Sequence, residues 1–352
     1  MYKSSLLCVL LCSTLWQVHA QQPTTSTTGP AAASTQMANP SLEQAQQFYA
    51  QGKLEQSLSE ANALAVQNPE PDGVERLRGL IYYQQNKFID ADAAFAKALV
   101  QNPKDTEAMQ LRGVTLFRMG RPGEAIPLLE QAHASVPNAN VDPNYVLGVS
   151  YLRVERYDDA RRAFAAQYGF APDSAPAYLL AARMCIHQEN LQPAEALAKK
   201  ALELNANLPL GHLLLGEVAL AHGDTSGAIA DFDKEQRLNP LNGDVYDRLG
   251  DAYIRNGQYD QAQRALNRAV LLEPNATGPY ILLGKVLLNQ QNPVMAGMYL
   301  ERAVHMDPGN YITHSLLAQV YRSEGRREDS AREFQTAARL QSANPPKLDA
   351  PQ

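Results

Sequence analysis

The chain has 352 residues, 45% of them hydrophobic and 19% charged, and a formal net charge of −6. That is length for one large domain or two ordinary ones, with apolar content enough for most of it to fold. A mildly acidic balance lacks the basic footprint that phosphate binding needs, which excludes nucleic acid as the main ligand.

In chain order, the first 20 residues read as a secretory signal peptide. Lys3 supplies the positive start and residues 6–16 form a short, largely apolar run. Val18-His19-Ala20 then sets small residues at the positions that precede cleavage after Ala20. The run is short for a bilayer span, which disfavours an uncleaved anchor. A lipid-modified start is disfavoured as well, because Leu11 is bulky before Cys12 and Cys8 lies too early. The expectation is export, periplasmic or secreted, with no transmembrane segment in the mature chain. Cleavage removes Cys8, Cys12 and Trp16 and leaves Cys185 alone, so no intramolecular disulfide is expected. Residues 21–37 (QQPTTSTTGPAAASTQM) are uncharged and nearly free of large apolar groups, the composition of a disordered linker. Residues 345–352, rich in proline, read as a flexible tail.

Between these ends runs a repeat, with units starting at 38, 72, 106, 141, 175, 209, 243, 277 and 311. The spacing is 34 residues, except for a 35-residue step before Val141. The eighth place of every unit is Gly or Ala: Ala45, Gly79, Gly113, Gly148, Ala182, Gly216, Gly250, Gly284 and Ala318. The twentieth place is Ala or Ser throughout, from Ser57 and Ala91 to Ala296 and Ser330. Pro69, Pro103, Pro137, Pro172, Pro240, Pro274 and Pro308 close seven of the units. Small residues at eight and twenty let two helices approach closely, and proline breaks the chain between units. Tyr82, Phe95, Tyr151, Phe164, Phe232, Tyr253 and Phe334 are expected to fill the gaps between neighbouring units.

This pattern strongly resembles the tetratricopeptide repeat (TPR) family. Residues 243–276 form the best single copy, with Tyr246, Leu249, Gly250, Tyr253, Gly257, Tyr259, Ala262, Ala269 and Pro274 at the signature places. The family's Trp is absent from the repeats, where Tyr178, Tyr246, Tyr280, His212 or His314 stands instead. The first unit also departs, with Leu64 at the third small place, and the last lacks its closing Pro. The resemblance implies an all-α, right-handed superhelical solenoid of nine helix-turn-helix units over residues 38–344. Such an array is quasi-one-dimensional, since no hairpin buries its apolar face alone.

The resemblance further implies that the first helices line a concave groove, faced by places two, five, nine, twelve and thirteen. Steps of three and four put these places on one helical face in any case. The twelfth place reads Tyr49, Tyr83, Phe117, Leu152, Ile186, Leu220, Ile254 and Leu288, then Arg322: an apolar stripe eight units long. The functional reading is a groove for an extended peptide or an amphipathic helix. The plainer reading is that these side chains partly pack inward. At the thirteenth place stand Arg118, Arg153, His187 and Arg255. Guanidinium groups beside apolar anchors suit capture of a carboxylate. The acids Glu107, Asp142, Glu217, Asp244, Asp247 and Asp251 offer the simpler alternative of surface pairing. The candidate groove set is thus Tyr83, Phe117, Arg118, Leu152, Arg153, Ile186, His187, Leu220, Ile254, Arg255 and Leu288. The family's chaperone-tail clamp needs Asn at the ninth place. Here that place holds Gln46, Leu80, Val114, Val149, Arg183, Glu217, Asp251, Lys285 and Gln319, so that mode is not expected.

No His-Glu-x-x-His, Cys-x-x-Cys or paired-histidine spacing suggests a metal, and no Gly-rich loop suggests phosphate binding. Gly148-Val149-Ser150 begins like a nucleophile elbow but lacks the second Gly and lies mid-helix. Cys185 falls at an inward place and reads as an inert core thiol. No cofactor and no catalytic residue are expected. The function expected is a non-enzymatic scaffold of the cell envelope that holds a segment of a partner protein. The alternative is a regulatory or adaptor subunit of an envelope enzyme: a protease, a glycosyltransferase, or a polysaccharide-export or secretion complex. Self-association is a further option, since solenoid ends and exposed grooves pair between copies.

Overall fold

A glycine at the eighth place leaves a hole in the first helix, and the second helix of the same unit fills it. A methyl group on Gly79 would lie 2.5 Å from the Phe95 ring, and one on Gly148 would lie 2.5 Å from Phe164. Gly113 stands against Leu129 in the same way, Gly216 against Phe232, Gly250 against Leu266 and Gly284 against Leu300. All six large side chains are fully buried at the twenty-fourth place of their units. Where the eighth place is Ala45 or Ala182, the twenty-fourth is Ala61 or Ala198, also buried. The volumes at the two places are therefore matched within each unit. This corrects the expectation for Phe95, Phe164 and Phe232, whose rings seat within their own unit rather than only between units. The ninth unit breaks the match by pairing Ala318 with Phe334, and Phe334 is 40% exposed.

The structure, a computed structural model, describes residues 40–135 and 144–343. The signal peptide, the linker, the extra residue before Val141 and the tail lie outside the described residues. Among the described residues eighteen helices form nine helix-turn-helix units. The first four units are α1 (Leu42–Ala50) with α2 (Leu54–Ala65), α3 (Val74–Gln84) with α4 (Phe88–Gln101), α5 (Thr106–Arg118) with α6 (Pro122–Ser135), and α7 (Asn144–Arg153) with α8 (Tyr157–Tyr168). The next three are α9 (Ala175–His187) with α10 (Leu191–Leu204), α11 (Gly211–Ala221) with α12 (Thr225–Leu238), and α13 (Gly243–Arg255) with α14 (Tyr259–Leu272). The last two are α15 (Thr277–Asn289) with α16 (Pro293–Met306), and α17 (Tyr311–Ser323) with α18 (Arg327–Ala343).

Each helix packs on its neighbours in chain order, which makes the array a solenoid. The first helices also approach one another from unit to unit, most closely from α13 to α15. The second helices stay farther apart. A stack that is tighter on one side curves toward that side, so the first helices line the inner face. An apolar core runs between the two rows, and its longest stretch joins Leu116 on α5 to Val218 on α11.

Three local devices hold the units. In the first and last, Ser replaces Ala at the twentieth place, and its hydroxyl donates to the backbone of the eighth. Ser57 Oγ donates to the Ala45 carbonyl at 2.7 Å, and Ser330 Oγ to that of Ala318 at 2.8 Å. In the last three units a polar tip at the fourth place reaches back to the loop before the unit. Tyr246 and Tyr280 hydroxyls donate to the carbonyls of Pro240 and Pro274, and His314 Nε2 lies 3.1 Å from that of Pro308. A His thus replaces the aromatic without losing the bond. At the fifteenth place every unit turns through the left-handed region. Gly52, Gly120, Gly223, Gly257 and Gly325 take this conformation freely, whereas Asn86, Glu155, Glu189 and Gln291 adopt it as non-glycine residues.

Candidate functional site

Because the first helices form the inner face, side chains one helical face apart on α3, α5, α7, α9, α11, α13 and α15 share a single surface. The twelfth place lies on it to different depths. Tyr83, Phe117, Ile186 and Leu288 are half-buried, with part of each side chain open. Leu152 is 1% exposed, Leu220 9% and Ile254 7%, and all three pack into the core between units. The stripe is therefore half-open at both ends, and its middle is sealed at Leu152, Leu220 and Ile254 but half-open at Ile186 between them.

At the start of the stripe, the thirteenth place of one unit reaches the rings of the unit before. Gln84 Nε2 donates to the Tyr49 hydroxyl at 2.7 Å. The Arg118 guanidinium lies 5.4 Å from the centre of the Phe88 ring, which stands edge-on to Tyr83 at 5.5 Å. Arg153 covers Phe117 at 4.5 Å. Both arginines are exposed and make no ion pair with a carboxylate among the described residues. An aromatic face attracts a cation and fixes the plane of the guanidinium while leaving its N–H edge free. His187, at the same place in α9, is exposed. Beside this ladder the helix turns of three units enclose a cleft of about 360 Å³ lined by Gly120, Leu152, Arg153, Glu155, Gln188 and Asn190, with Pro122 at its rim.

Two other basic groups of the inner face are paired. Arg76 Nη1 lies 2.9 Å from Asp105 and 3.3 Å from Glu107, and Arg255 lies 2.9 Å from Asp251. For these two the surface-pairing reading holds. Arg118 and Arg153, like Arg322 over Phe334 at 6.0 Å, have ring contacts and no ion pair among the described residues.

Farther along, α11 and α13 bring together Glu217, Asp244, Asp247 and Asp251. Arg248 stands among them, 3.0 Å from Glu217 and 3.7 Å from Asp244. Burial pushes the Asp247 carboxyl up to about 6, and the charges of Asp244, Asp251 and Glu273 add to this against the pull of Arg248. Its Oδ1 is buried without a hydrogen-bond partner. Burial raises Glu217 as well, opposed mainly by Arg248. Three acids at places two, five and nine of one unit were the visible signal. The buried state of Asp247 and the central place of Arg248 were not visible, since they depend on how α15 and α11 pack against α13. Cys185 is buried and its thiol is pushed up to about 12 by desolvation, the state of an unreactive core residue.

No described helix is long and apolar enough to cross a membrane. Family models described as tetratricopeptide repeat match residues 76–140, 145–209 and 219–286. The chain is 20% identical over 293 residues to anaphase-promoting complex subunit 3 of Schizosaccharomyces pombe, which spans 83% of this chain and 44% of that protein. It is 25% identical over 271 residues to cellulose synthase operon protein C of Xanthomonas axonopodis pv. citri, covering 75% of this chain and 16% of that protein. The chain thus spans less than half the length of these two relatives. Among solved structures it is similar to YrrB, a TPR protein with an unusual peptide-binding site, at 24% identity and a TM-score of 0.44, over 53% of this chain and 95% of that one. Nine units in a common register, their packing row on row and the matched family models make the chain a member of the tetratricopeptide repeat family.

Proposed function

We propose that this protein is a non-enzymatic scaffold that holds a segment of a partner protein on its inner face. The observation that carries the reading is the ladder over units two to four, where Tyr83, Phe117, Arg118 and Arg153 leave aromatic surface and guanidinium edges open side by side. Aromatic and arginine side chains are the groups that anchor protein interfaces. Ile186, His187 and Leu288 extend the surface, while Leu152, Leu220 and Ile254 support it from beneath.

The decisive test is photo-cross-linking in cells from a benzoylphenylalanine at position 117, with one at exposed position 100 on α4 as the control. Capture of a distinct protein from 117 and not from 100 is expected. Capture from 100 alone would place binding on the outer row and end the groove reading.

The place of action proposed is the cell envelope, reached through removal of the first 20 residues. N-terminal sequencing of the protein from its native host is expected to start at Gln21, and a retained Met1 would overturn this. The match to cellulose synthase operon protein C favours one narrower form, an adaptor subunit of an envelope glycosyltransferase or polysaccharide-export complex. Stable co-purification with such an enzyme is its expected sign.

A further inference from the structure

The inner face changes sign along its length. Units three to five present Arg118, Arg153, Arg183 and His187, all exposed, while Glu107 of unit three pairs with Arg76. Units six and seven present Glu217, Asp244, Asp247 and Asp251. Glu217 marks the boundary, held by Arg248 at 3.0 Å and within electrostatic reach of Arg183 and His187. The two halves are unsatisfied in opposite senses. On the basic side, two guanidinium groups rest on rings with no carboxylate partner among the described residues. On the acidic side, Arg248 pairs with Glu217 and Asp244 and Arg255 with Asp251, while Asp247 Oδ1 is buried without a hydrogen-bond partner. The other oxygen, Oδ2, faces Gly278 on α15, where a methyl group would lie 3.4 Å away.

Resting on the groove reading above, we propose that the occupant is an extended partner segment with charges of both signs in separate blocks. Its acidic side chains meet Arg118 and Arg153, and a lysine or arginine side chain enters beside Asp247. Carboxylates suit the guanidinium edges in a two-pronged geometry that a neutral group does not satisfy. An ammonium or guanidinium group beside Asp247 Oδ2 offsets the four crowded carboxylates at once. Packed helices lie about 8–10 Å apart, so four unit steps cover about 40 Å. At about 3.3 Å per extended residue that is a segment of about twelve residues between the two contacts.

A displayed library of random peptides about sixteen residues long, panned on the purified full chain, reads the preference directly. Enriched peptides are expected to carry an acidic block and a basic block. Panning on Arg118→Glu/Arg153→Glu should lose the acidic block, and panning on Asp244→Asn/Asp247→Asn should lose the basic one. The affinity of a selected peptide should fall about tenfold on each variant. Both double variants change exposed or isosteric groups, and their helical circular dichroism is checked first. If either melts, Arg118→Gln/Arg153→Gln or Asp247→Asn alone takes its place. Enrichment of peptides of one sign, or of the same pattern on wild type and both variants, overturns the two-sign occupant and leaves the groove reading standing. No enrichment over bare matrix overturns both.

Discussion

At the scale of single residues, the match between the eighth and twenty-fourth places governs what the core tolerates. In unit four an added methyl group on Gly148 meets the fully buried Phe164 ring, so Gly148→Ala should destabilise by about 2–3 kcal/mol through overpacking. Phe164→Ala should cost about 3–5 kcal/mol by leaving a cavity. In that background Gly148→Ala changes sign and stabilises, because it rebuilds the Ala–Ala pair that units one and five already use. Chemical denaturation of the four proteins in a double-mutant cycle checks this, and independent, additive effects would refute the match. Asp247 gives a second prediction at this scale. Its carboxyl titrates near 3.8 in the open chain and about 6 in the fold, so between those values the folded state holds the extra proton. Stability from this group is therefore greatest below that window, declines as pH rises through it, and stays low above it. The difference is on the order of 3 kcal/mol. Asp247→Asn should gain stability relative to wild type at pH 7.5 and lose that advantage near pH 4, as urea midpoints at the two pH values will report. The pairing of sizes was present in the sequence, Gly with Phe or Leu and Ala with Ala. It was misread because a large apolar residue shows no direction, and only the packed unit shows which hole it fills.

At the scale of the element, the turn between helices is the part the residues expressed least evenly. Five units mark it with Gly, and four hide it under Asn86, Glu155, Glu189 and Gln291, each held at positive φ. A side chain in that region carries a local cost that Gly escapes. Glu155→Gly and Glu189→Gly should each raise stability by about 0.5–1 kcal/mol, seen as a higher melting temperature with unchanged helix content. The candidate site divides in the same way. That places twelve and thirteen share a face followed from helical spacing alone, and Tyr83, Phe117, Arg118 and Arg153 do meet there. The depth of Leu152, Leu220 and Ile254 did not follow, because it depends on how closely the next first helix approaches. Nor did the partners of the arginines: Arg76 and Arg255 find acids within reach, while Arg118 and Arg153 find rings.

At the scale of the molecule, stability is a sum over units and their neighbours, so it need not be uniform. The longest unbroken stretch of core joins units three to six, and among the described residues the first and ninth units each have a neighbour on one side only. Hydrogen exchange of backbone amides should accordingly be slowest in α7 to α11 and fastest in α1, α2 and α18. Equal protection along the array would contradict this. The number of units and their register were readable from small residues and prolines, since these set the helix contacts that define a repeat. The division of the inner face into a basic and an acidic half was present residue by residue, yet it acquires meaning only when alternate helices are laid side by side.

The matching of the eighth and twenty-fourth places also bears on how such a chain can change by descent. Both members of each pair lie within one 34-residue unit, so a whole unit can be duplicated, lost or moved and carry its fitted core with it. An exchange inside a unit separates the pair. It leaves either Gly facing Ala, with a hole, or Ala facing Phe, with a ring turned out to water. The ninth unit, with Ala318 beside an outward Phe334, has the form of such a recombinant. Among the described residues it is the last unit, where the outward ring meets no following helix.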